Sequence, residues 1–123
     1  LIKKAIEMRS RAFAPYSNYR VGAAVETETG EIIGGCNVES SSYGLTCCAE
    51  RVALFRAIAK GHKNFKSLAV STENGGMPCG ACRQVIWDLY KKIDIHICNK
   101  KKWLRTISSS ELLPDAFDEN FLK

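Results

Sequence analysis

The sequence predicts an α/β fold in which helices cover both faces of a mixed five-stranded sheet, as a three-layer α-β-α sandwich. Helical and strand periodicities alternate along the chain in the order α-β-β-α-β-α-β-β. Leu68-Ala69-Val70 is unbroken apolar, as an interior parallel strand is. The length of 123 residues fits a single domain, residues 1–123, with a core of its own.

The N-terminal part of the chain predicts a helix followed by a hairpin. Apolar residues at 1–12 recur at helical spacing, and Pro15 ends the helix. Strands are expected at 21–26 and 31–38, joined by a turn at Thr29-Gly30. Three glycines inside these strands imply bulges or close backbone approach: Gly22, Gly34 and Gly35.

The middle of the chain predicts two helices around a buried strand. Residues 49–59 form a helix that is apolar nearly all round, which predicts burial on more than one side, and Gly61 ends it. Residues 67–72 form the apolar strand. Residues 81–91 form a helix with an apolar inner stripe.

The C-terminal part returns to strands. A strand of alternating polarity at 93–98 leads through a turn at Asn99-Lys100 into a last strand at 103–107. Ser109 or Ser110 is expected to cap a final short turn, and the tail beyond it has little periodicity.

Three cysteines and one glutamate form the pattern around which the sequence is organised. Cys79 and Cys82 are spaced i and i+3, which places both sulfurs on one side of a helix or tight turn. With Cys48 they supply three ligands to a tetrahedral zinc, and an open fourth corner for water distinguishes a catalytic site from a structural one. Glu50, two residues after a ligand, is placed to take a proton from that water.

Each part of this pattern also has a more ordinary interpretation. A lone C-x-x-C is as typical of a structural zinc or a redox pair. The order of the two segments, with Pro78 directly before Cys79, is specific and favours a catalytic zinc. Because positions i and i+2 diverge on a helix, Cys48 and Glu50 can share the ion only if it lies beyond the helix end.

Composition and charge limit the expected partners. The 18 basic and 13 acidic residues give a net charge of +5, which raises nucleic acid as a partner. Much of the excess lies in lysines beside turns, at 91–92 and 100–102, without interleaved aromatics, so no nucleic acid is expected. No apolar run is long enough for a membrane span. Six cysteines in a chain with a full core pattern indicate a reduced, cytoplasmic protein.

The chain resembles the small zinc-dependent cytidine deaminases of the cytidine/deoxycytidylate deaminase superfamily over nearly all its length. The motifs are specific in combination: PYSNYRVGAA at 15–24, GCNVE at 35–39, SYGLT at 42–46, CAER at 48–51, PCGACRQ at 78–84 and ELLPDAF at 111–117. The resemblance implies hydrolytic deamination of cytidine and 2′-deoxycytidine to uridine and 2′-deoxyuridine with release of ammonia, in pyrimidine salvage.

The two cysteine motifs acquire roles from this resemblance. Cys48, Cys79 and Cys82 would hold one Zn²⁺ per chain, and Glu50 would pass the proton of the attacking water to the substrate. Arg51 and Gln84, one in each cysteine motif, match positions that hydrogen-bond the thiolates. Their hydrogen bonds would offset the net −1 charge of three thiolates on one dication. The remaining cysteines are interpreted as structural: Cys36, Cys47 and Cys98.

The other motifs imply a nucleoside site. Asn37 and Glu39 would bind the ribose hydroxyls, Tyr43 would shape their loop, and the backbone of Ala49 would meet the base carbonyl. Tyr19 falls where the family usually has Phe beside the pyrimidine, and its extra hydroxyl needs a partner or water. Simpler alternatives stay open: Asn37 as a turn residue and Tyr19 as a core aromatic.

The resemblance also implies assembly and leaves two other functions open. Small members are homotetramers in which an aromatic residue reaches a neighbour's site, and Phe117 is the matching position; alternatively it pins the tail to its own core. One other function is deamination of a different aminopyrimidine nucleoside, such as a blasticidin-type antibiotic. The second, a structural zinc module that binds nucleic acid, is disfavoured by the missing fourth ligand and by Glu50.

Overall fold

The computed structural model describes residues 1–122, and its central element is a five-stranded mixed sheet. The strands are β1 (Gly22–Thr27), β2 (Ile32–Cys36), β3 (Phe65–Ser71), β4 (Asp94–Cys98) and β5 (Trp103–Ser108). The helices are α1 (Ile2–Met8), α2 (Ala49–Ala59), α3 (Gly80–Tyr90) and α4 (Ser109–Leu112). Short 3₁₀ turns lie at Arg9–Arg11, Tyr43–Leu45 and Glu119–Leu122.

The strands lie in the order β2-β1-β3-β4-β5, with β3 in the middle. β1 pairs antiparallel with both β2 and β3, β4 pairs antiparallel with β5, and β3 and β4 run parallel. The buried Leu68, Ala69 and Val70 confirm the predicted interior strand. Because β3 and β4 are parallel, their carboxyl ends meet at one edge of the sheet, and residues 72–79 lead from that edge into α3.

Helices cover both faces of the sheet, which confirms the predicted layers. α1 packs on one face through Ala5, against Ala24 of β1 and Ala69 of β3. α2 and α3 pack on the opposite face, where Leu54 and Ile86 belong to the larger core. Among residues 1–122, no helix combines the length and the apolar character needed to cross a lipid bilayer.

Two of the strand glycines lie where a helix touches the sheet. A Cβ at Gly22 would lie 2.0 Å from the carbonyl oxygen of Ala5 in α1. A Cβ at Gly35 would lie 2.4 Å from the backbone nitrogen of Ala53 in α2. Both glycines pair in regular register between β1 and β2, so close approach, and not a bulge, accounts for them.

Helix lengths and burial differ in part from the predictions. α1 ends at Met8 and continues only as a 3₁₀ turn, because the backbone is already extended at Ala12. α2 has the predicted bounds, and Gly61 follows it with a φ of +96°. Within one chain, however, α2 buries a single face, and Phe55 and Ile58 on the other face are 47% and 42% exposed.

The cap of α4 is also corrected. Ser108, and neither Ser109 nor Ser110, is the capping residue, since its Oγ accepts a hydrogen bond from the backbone nitrogen of Ser110 at 3.2 Å. The Ser109 hydroxyl is used elsewhere: it donates to the carbonyl oxygen of Lys91 and accepts from the backbone nitrogen of Ile93. It therefore joins the end of α3 to the start of β4.

Candidate active site

Two of the predicted zinc ligands directly precede a helix. Cys48 comes before α2 and Cys79 before α3, and both have extended backbones, with ψ of 153° and 171°. Neither side chain makes a capping hydrogen bond with the backbone of its helix. Cys82 is buried in the first turn of α3. The positive ends of two helix dipoles therefore point toward the cysteine group.

The three sulfurs lie close enough to hold one ion. The Sγ atoms of Cys48, Cys79 and Cys82 all lie within 4.8 Å of one another, and those of Cys48 and Cys79 are 3.7 Å apart. Zn–S bonds of about 2.3 Å at tetrahedral angles require sulfurs about 3.8 Å apart. The cysteine group therefore fits zinc, and three ligands leave a fourth position open.

Arg51 supplies positive charge beside these sulfurs. Its Nη2 donates to the sulfur of Cys48 and to the carbonyl oxygen of Thr46, each at 3.4 Å. Its Nε is buried without a hydrogen-bond partner within residues 1–122, so one donor is left over. Hydrogen bonds from Cys82 and then Arg51 lower the pKa of Cys48 to about 5. These surroundings favour the thiolate form of Cys48, the form that binds zinc.

Glu50 faces the same space as the sulfurs. It lies in the first turn of α2 with 4% of its surface exposed, and it lines a cavity together with Cys48 and Cys79. Because Cys48 precedes the helix with an extended backbone, both side chains reach this cavity despite their i, i+2 spacing. Burial raises the pKa of Glu50 to about 7. A carboxyl group with that pKa can both accept and release a proton near neutral pH.

The cavity has a volume of about 290 Å³. Its polar and apolar lining residues come from the segment before β1, from β3 and from the loops that lead into α2 and α3: Ser17, Tyr19, Val21, Asn37, Glu39, Thr46, Cys48, Glu50, Val70, Thr72, Met77 and Cys79. The motifs alone did not indicate Thr72, Met77 or Val70. Val70 and Thr72 lie at the carboxyl end of a central parallel strand and Met77 in the loop that follows it, and this position was the available signal.

Asn37 and Glu39 hold the segment before β1 against the cavity. Asn37 Oδ1 accepts from the backbone nitrogen of Val21 at 2.9 Å, and its Nδ2 donates to the carbonyl oxygen of Tyr19 at 2.8 Å. Glu39 accepts from the backbone nitrogens of Tyr16 and Ser17 and from the Ser17 hydroxyl. These bonds, led by that from the Ser17 hydroxyl, lower the pKa of Glu39 and keep it ionised.

Of the remaining residues predicted to contact the nucleoside, some line the cavity and others lie outside it. The ring of Tyr19 lines the cavity, and Ala49 is fully buried at the first position of α2. Tyr43 lies outside it, on an adjoining cavity of about 350 Å³, with its ring edge against Tyr16. Phe117 is 56% exposed, stacks on Phe121 and does not line the cavity of its own chain.

Gln84 does not reach the sulfurs. Its Nε2 donates to the carbonyl oxygen of Phe117 at 2.8 Å and to Asp88 Oδ1 at 3.2 Å. Two residues correspond to about 200° of helical rotation, so Gln84 lies on the side of α3 opposite Cys82. The predicted thiolate contact is thus replaced by an attachment of the C-terminal segment to α3.

Comparison with known proteins agrees with this geometry. The family model described as the cytidine and deoxycytidylate deaminase zinc-binding region matches residues 1–96. The chain belongs to this family. Membership agrees with the cysteine group at the two helix starts, since the family is named for its zinc-binding region.

Relatives of the chain within this deaminase family match it over nearly their whole length. Cytidine deaminase of Halalkalibacterium halodurans is 45% identical over 120 residues, which cover 95% of this chain and 91% of that protein. The probable cytidine deaminase of Dictyostelium discoideum is 48% identical, over 98% of this chain and 84% of that protein. Blasticidin-S deaminase of Bacillus cereus is 30% identical, over 85% of this chain and 81% of that protein.

The fold is likewise that of solved structures in the deaminase family. The crystal structure of cytidine deaminase from Burkholderia pseudomallei superimposes with a TM-score of 0.91 at 48% identity. The superposition covers 95% of this chain and 96% of that one. The predicted sheet and layers are therefore those of the cytidine deaminase fold.

Proposed function

We propose that this protein catalyses hydrolytic deamination of cytidine and 2′-deoxycytidine, giving uridine and 2′-deoxyuridine with ammonia. The observation that carries the proposal is a buried carboxyl group, Glu50, that lines one small cavity with Cys48 and Cys79, whose sulfurs cluster with that of Cys82. A closed structural zinc site would need a fourth ligand, and the group found within residues 1–122 has three.

Glu50 would transfer protons in this reaction. One zinc ion per chain, held by Cys48, Cys79 and Cys82, would supply a Lewis acid that lowers the pKa of water toward neutrality. Glu50 accepts a proton from the water that attacks C4 of the pyrimidine. It donates this proton to N3, then takes the second proton from the C4 hydroxyl of the tetrahedral intermediate and passes it to the leaving amine, so one carboxyl group serves as base and acid.

Asn37 and Glu39 would recognise the sugar without losing their internal bonds. A carboxylate has about four acceptor positions, of which Glu39 uses three. The amide of Asn37 uses one of its two N–H donors and one of the two lone pairs on Oδ1. The remaining positions suit ribose hydroxyls, which both donate and accept. The Tyr19 ring and the Ala49 backbone would then hold the base.

The proposed active form is a homotetramer with Phe117 completing a neighbour's site. Phe117 is exposed and lies outside its own cavity, while the exposed Phe55 and Ile58 give α2 a second apolar face to bury. We place the enzyme in the cytoplasm and in pyrimidine salvage. All six cysteines are free, which fits a reducing compartment.

A substrate panel tests the proposal. Zinc-loaded protein is mixed with cytidine, 2′-deoxycytidine, blasticidin S or cytosine, and loss of absorbance in the cytosine band is followed. We expect fast turnover of the two nucleosides and an activity about 10² to 10⁴ lower in the zinc-loaded Glu50→Gln variant. Preferred turnover of blasticidin S would support the second candidate, which the 30% identity to Blasticidin-S deaminase motivates. No turnover of any compound would overturn the proposal.

A further inference from the structure

We infer that the hydroxyl of Tyr19 joins the two walls of the cavity and positions the Tyr19 ring for nucleoside binding, an inference that rests on the proposed function. The ring lines the cavity, and the hydroxyl donates to Asn74 Oδ1 at 2.9 Å. Asn74 belongs to the loop at 72–79, which ends at Cys79. This hydrogen bond therefore ties the segment before β1 to the loop that leads to a predicted zinc ligand.

Both partners of this hydrogen bond are held by other contacts. The backbone nitrogen of Tyr19 donates to Ser17 Oγ at 3.0 Å, and its carbonyl oxygen accepts from Asn37 at 2.8 Å. On the loop, the backbone nitrogen of Gly76 donates to Thr72 Oγ1 at 2.7 Å, which closes a tight turn around Asn74. The hydroxyl thus connects two walls that are each ordered by their own bonds.

Gly76 provides an independent observation. A Cβ at this position would lie 2.5 Å from the Tyr19 hydroxyl oxygen, and the next nearest atoms are 3.7 Å away. The backbone at Gly76 does not have a positive φ, so alanine would be compatible with its conformation. The absence of a side chain at Gly76 therefore makes room for this hydroxyl in particular.

An ion pair between Arg9 and Glu73 flanks the Tyr19–Asn74 hydrogen bond. Arg9 Nη2 lies 3.1 Å from Glu73 Oε2, and Arg9 Nε donates to the carbonyl oxygen of Arg20 at 3.1 Å. Arg9 therefore contacts the residue next to each partner of the hydrogen bond, Arg20 beside Tyr19 and Glu73 beside Asn74. Glu73 is exposed, and an exposed ion pair adds little stability. The Tyr19–Asn74 hydrogen bond is also exposed, but it joins the two walls directly, whereas the ion pair reaches Glu73 from Arg9, which lies outside both walls.

Removal of the tie should weaken binding more than chemistry, because the ring and loop must then be ordered when the nucleoside binds. Tyr19→Phe and Asn74→Ala should each raise KM for cytidine about 2- to 10-fold, with kcat changed less than about twofold and zinc content unchanged. The double variant should be no worse than either single one. Additive effects of the two changes would overturn the inference.

Gly76→Ala tests the inference by adding a methyl group beside the Tyr19 hydroxyl instead of removing a hydrogen-bonding group. In the wild-type background its methyl group should displace the Tyr19 hydroxyl, raise KM and lower the unfolding temperature by about 3 to 6 °C. In the Tyr19→Phe background the same change should have little further effect, because the clashing oxygen is gone. Equal harm in both backgrounds would show that Gly76 serves the loop alone and would overturn the inference.

Hydrogen exchange separates this inference from the proposed function. Exchange of the amides at 72–79 is measured in the zinc-loaded full chain without substrate. Tyr19→Phe should speed it, whereas Tyr16→Phe, which removes a hydroxyl from an exposed ring of the same segment, should not. If the wild type fails to deaminate cytidine, the proposed function fails, and faster exchange in Tyr19→Phe alone still supports the tie. Unchanged exchange in Tyr19→Phe overturns it.

Discussion

Arg51 Nη2 donates a hydrogen bond to the sulfur of Cys48 over 3.4 Å, between the first turn of α2 and the residue before that helix. The guanidinium group therefore lies against the electron-rich side of the cysteine group. Three thiolates on one dication carry a net charge of −1, and this hydrogen bond draws charge away from the sulfur. Arg51 would thus help to keep a bound zinc ion electrophilic.

Replacing Arg51 by glutamine should lower zinc affinity or zinc-dependent activity about 10- to 100-fold, the usual cost of losing a hydrogen bond to a metal ligand. Arg51→Lys is the matched control: it keeps the positive charge but loses the planar donor group, so an intermediate effect is expected. Zinc titration and kcat on cytidine measure the two quantities. An Arg51→Gln enzyme with wild-type values for both would contradict this role.

The identity of the ligands is tested by zinc content. Purified wild-type protein should contain about one zinc per chain, and Cys82→Ala should lose it and fold poorly, because metal binding is coupled to folding. Cys47→Ala is the sharpest control, since Cys47 is the residue next to Cys48 and lies outside the cysteine group. The Cys47→Ala variant should retain about one zinc per chain in elemental analysis. Loss of zinc from Cys47→Ala, with retention in Cys82→Ala, would reassign the site.

The hydrogen bonds of Glu39 predict a pH dependence of stability. The Ser17 hydroxyl, and then the backbone N–H groups of Ser17 and Tyr16, hold the pKa of Glu39 below its ordinary value of 4.5. A carboxyl group whose pKa is lowered by folding stabilises the protein above its unfolded pKa, and that contribution is lost as the pH falls through the folded value.

Glu39→Gln should therefore unfold at lower urea concentration than wild type at pH 7, and the difference should shrink as the pH drops below 4.5. Urea unfolding between pH 3 and pH 7 measures this difference. Ser17→Ala, which removes the strongest of the three hydrogen bonds to Glu39, should also unfold at a lower urea concentration than wild type at pH 7. A difference that stays constant over this range would mean that the hydrogen bonds of Glu39 do not lower its pKa in the folded protein.

Phe117 connects assembly to binding in the proposed tetramer. Light scattering should give a mass near 55 kDa, four times the 13.7 kDa of one chain. Phe117→Ala should raise KM for cytidine while zinc content stays unchanged, because Phe117 lies outside the cavity of its own chain. Phe121→Ala removes the ring stacked on Phe117 and is a control for local packing. A fully active species with the mass of one chain would rule out the shared site.

Local sequence signals predicted the fold well. The bounds of α2 followed from apolar residues that start after Cys48 and stop before Gly61, and β3 followed from Leu68-Ala69-Val70. The cap of α4 was missed because three serines follow one another, and only the packed structure shows that Ser109 is engaged by Lys91 and Ile93.

Long-range contacts could not be predicted in this way. The hydrogen bond between Tyr19 and Asn74 joins positions 55 residues apart, so no local pattern in the sequence indicates it. The placement of Gln84 depends on where the C-terminal segment packs, which the motif does not encode.

Gly35 has a consequence for attempts to alter the substrate range of this protein. A methyl group there would also lie 2.7 Å from the carbonyl oxygen of Ala49, in the turn that carries Glu50. Any side chain would push the start of α2 off the sheet and move the carboxyl group relative to the sulfurs. A mutagenesis library restricted to cavity-lining positions would overlook Gly35, and one that randomised it would consist largely of inactive clones. Position 35 must stay fixed in any redesign, although it contributes no functional group.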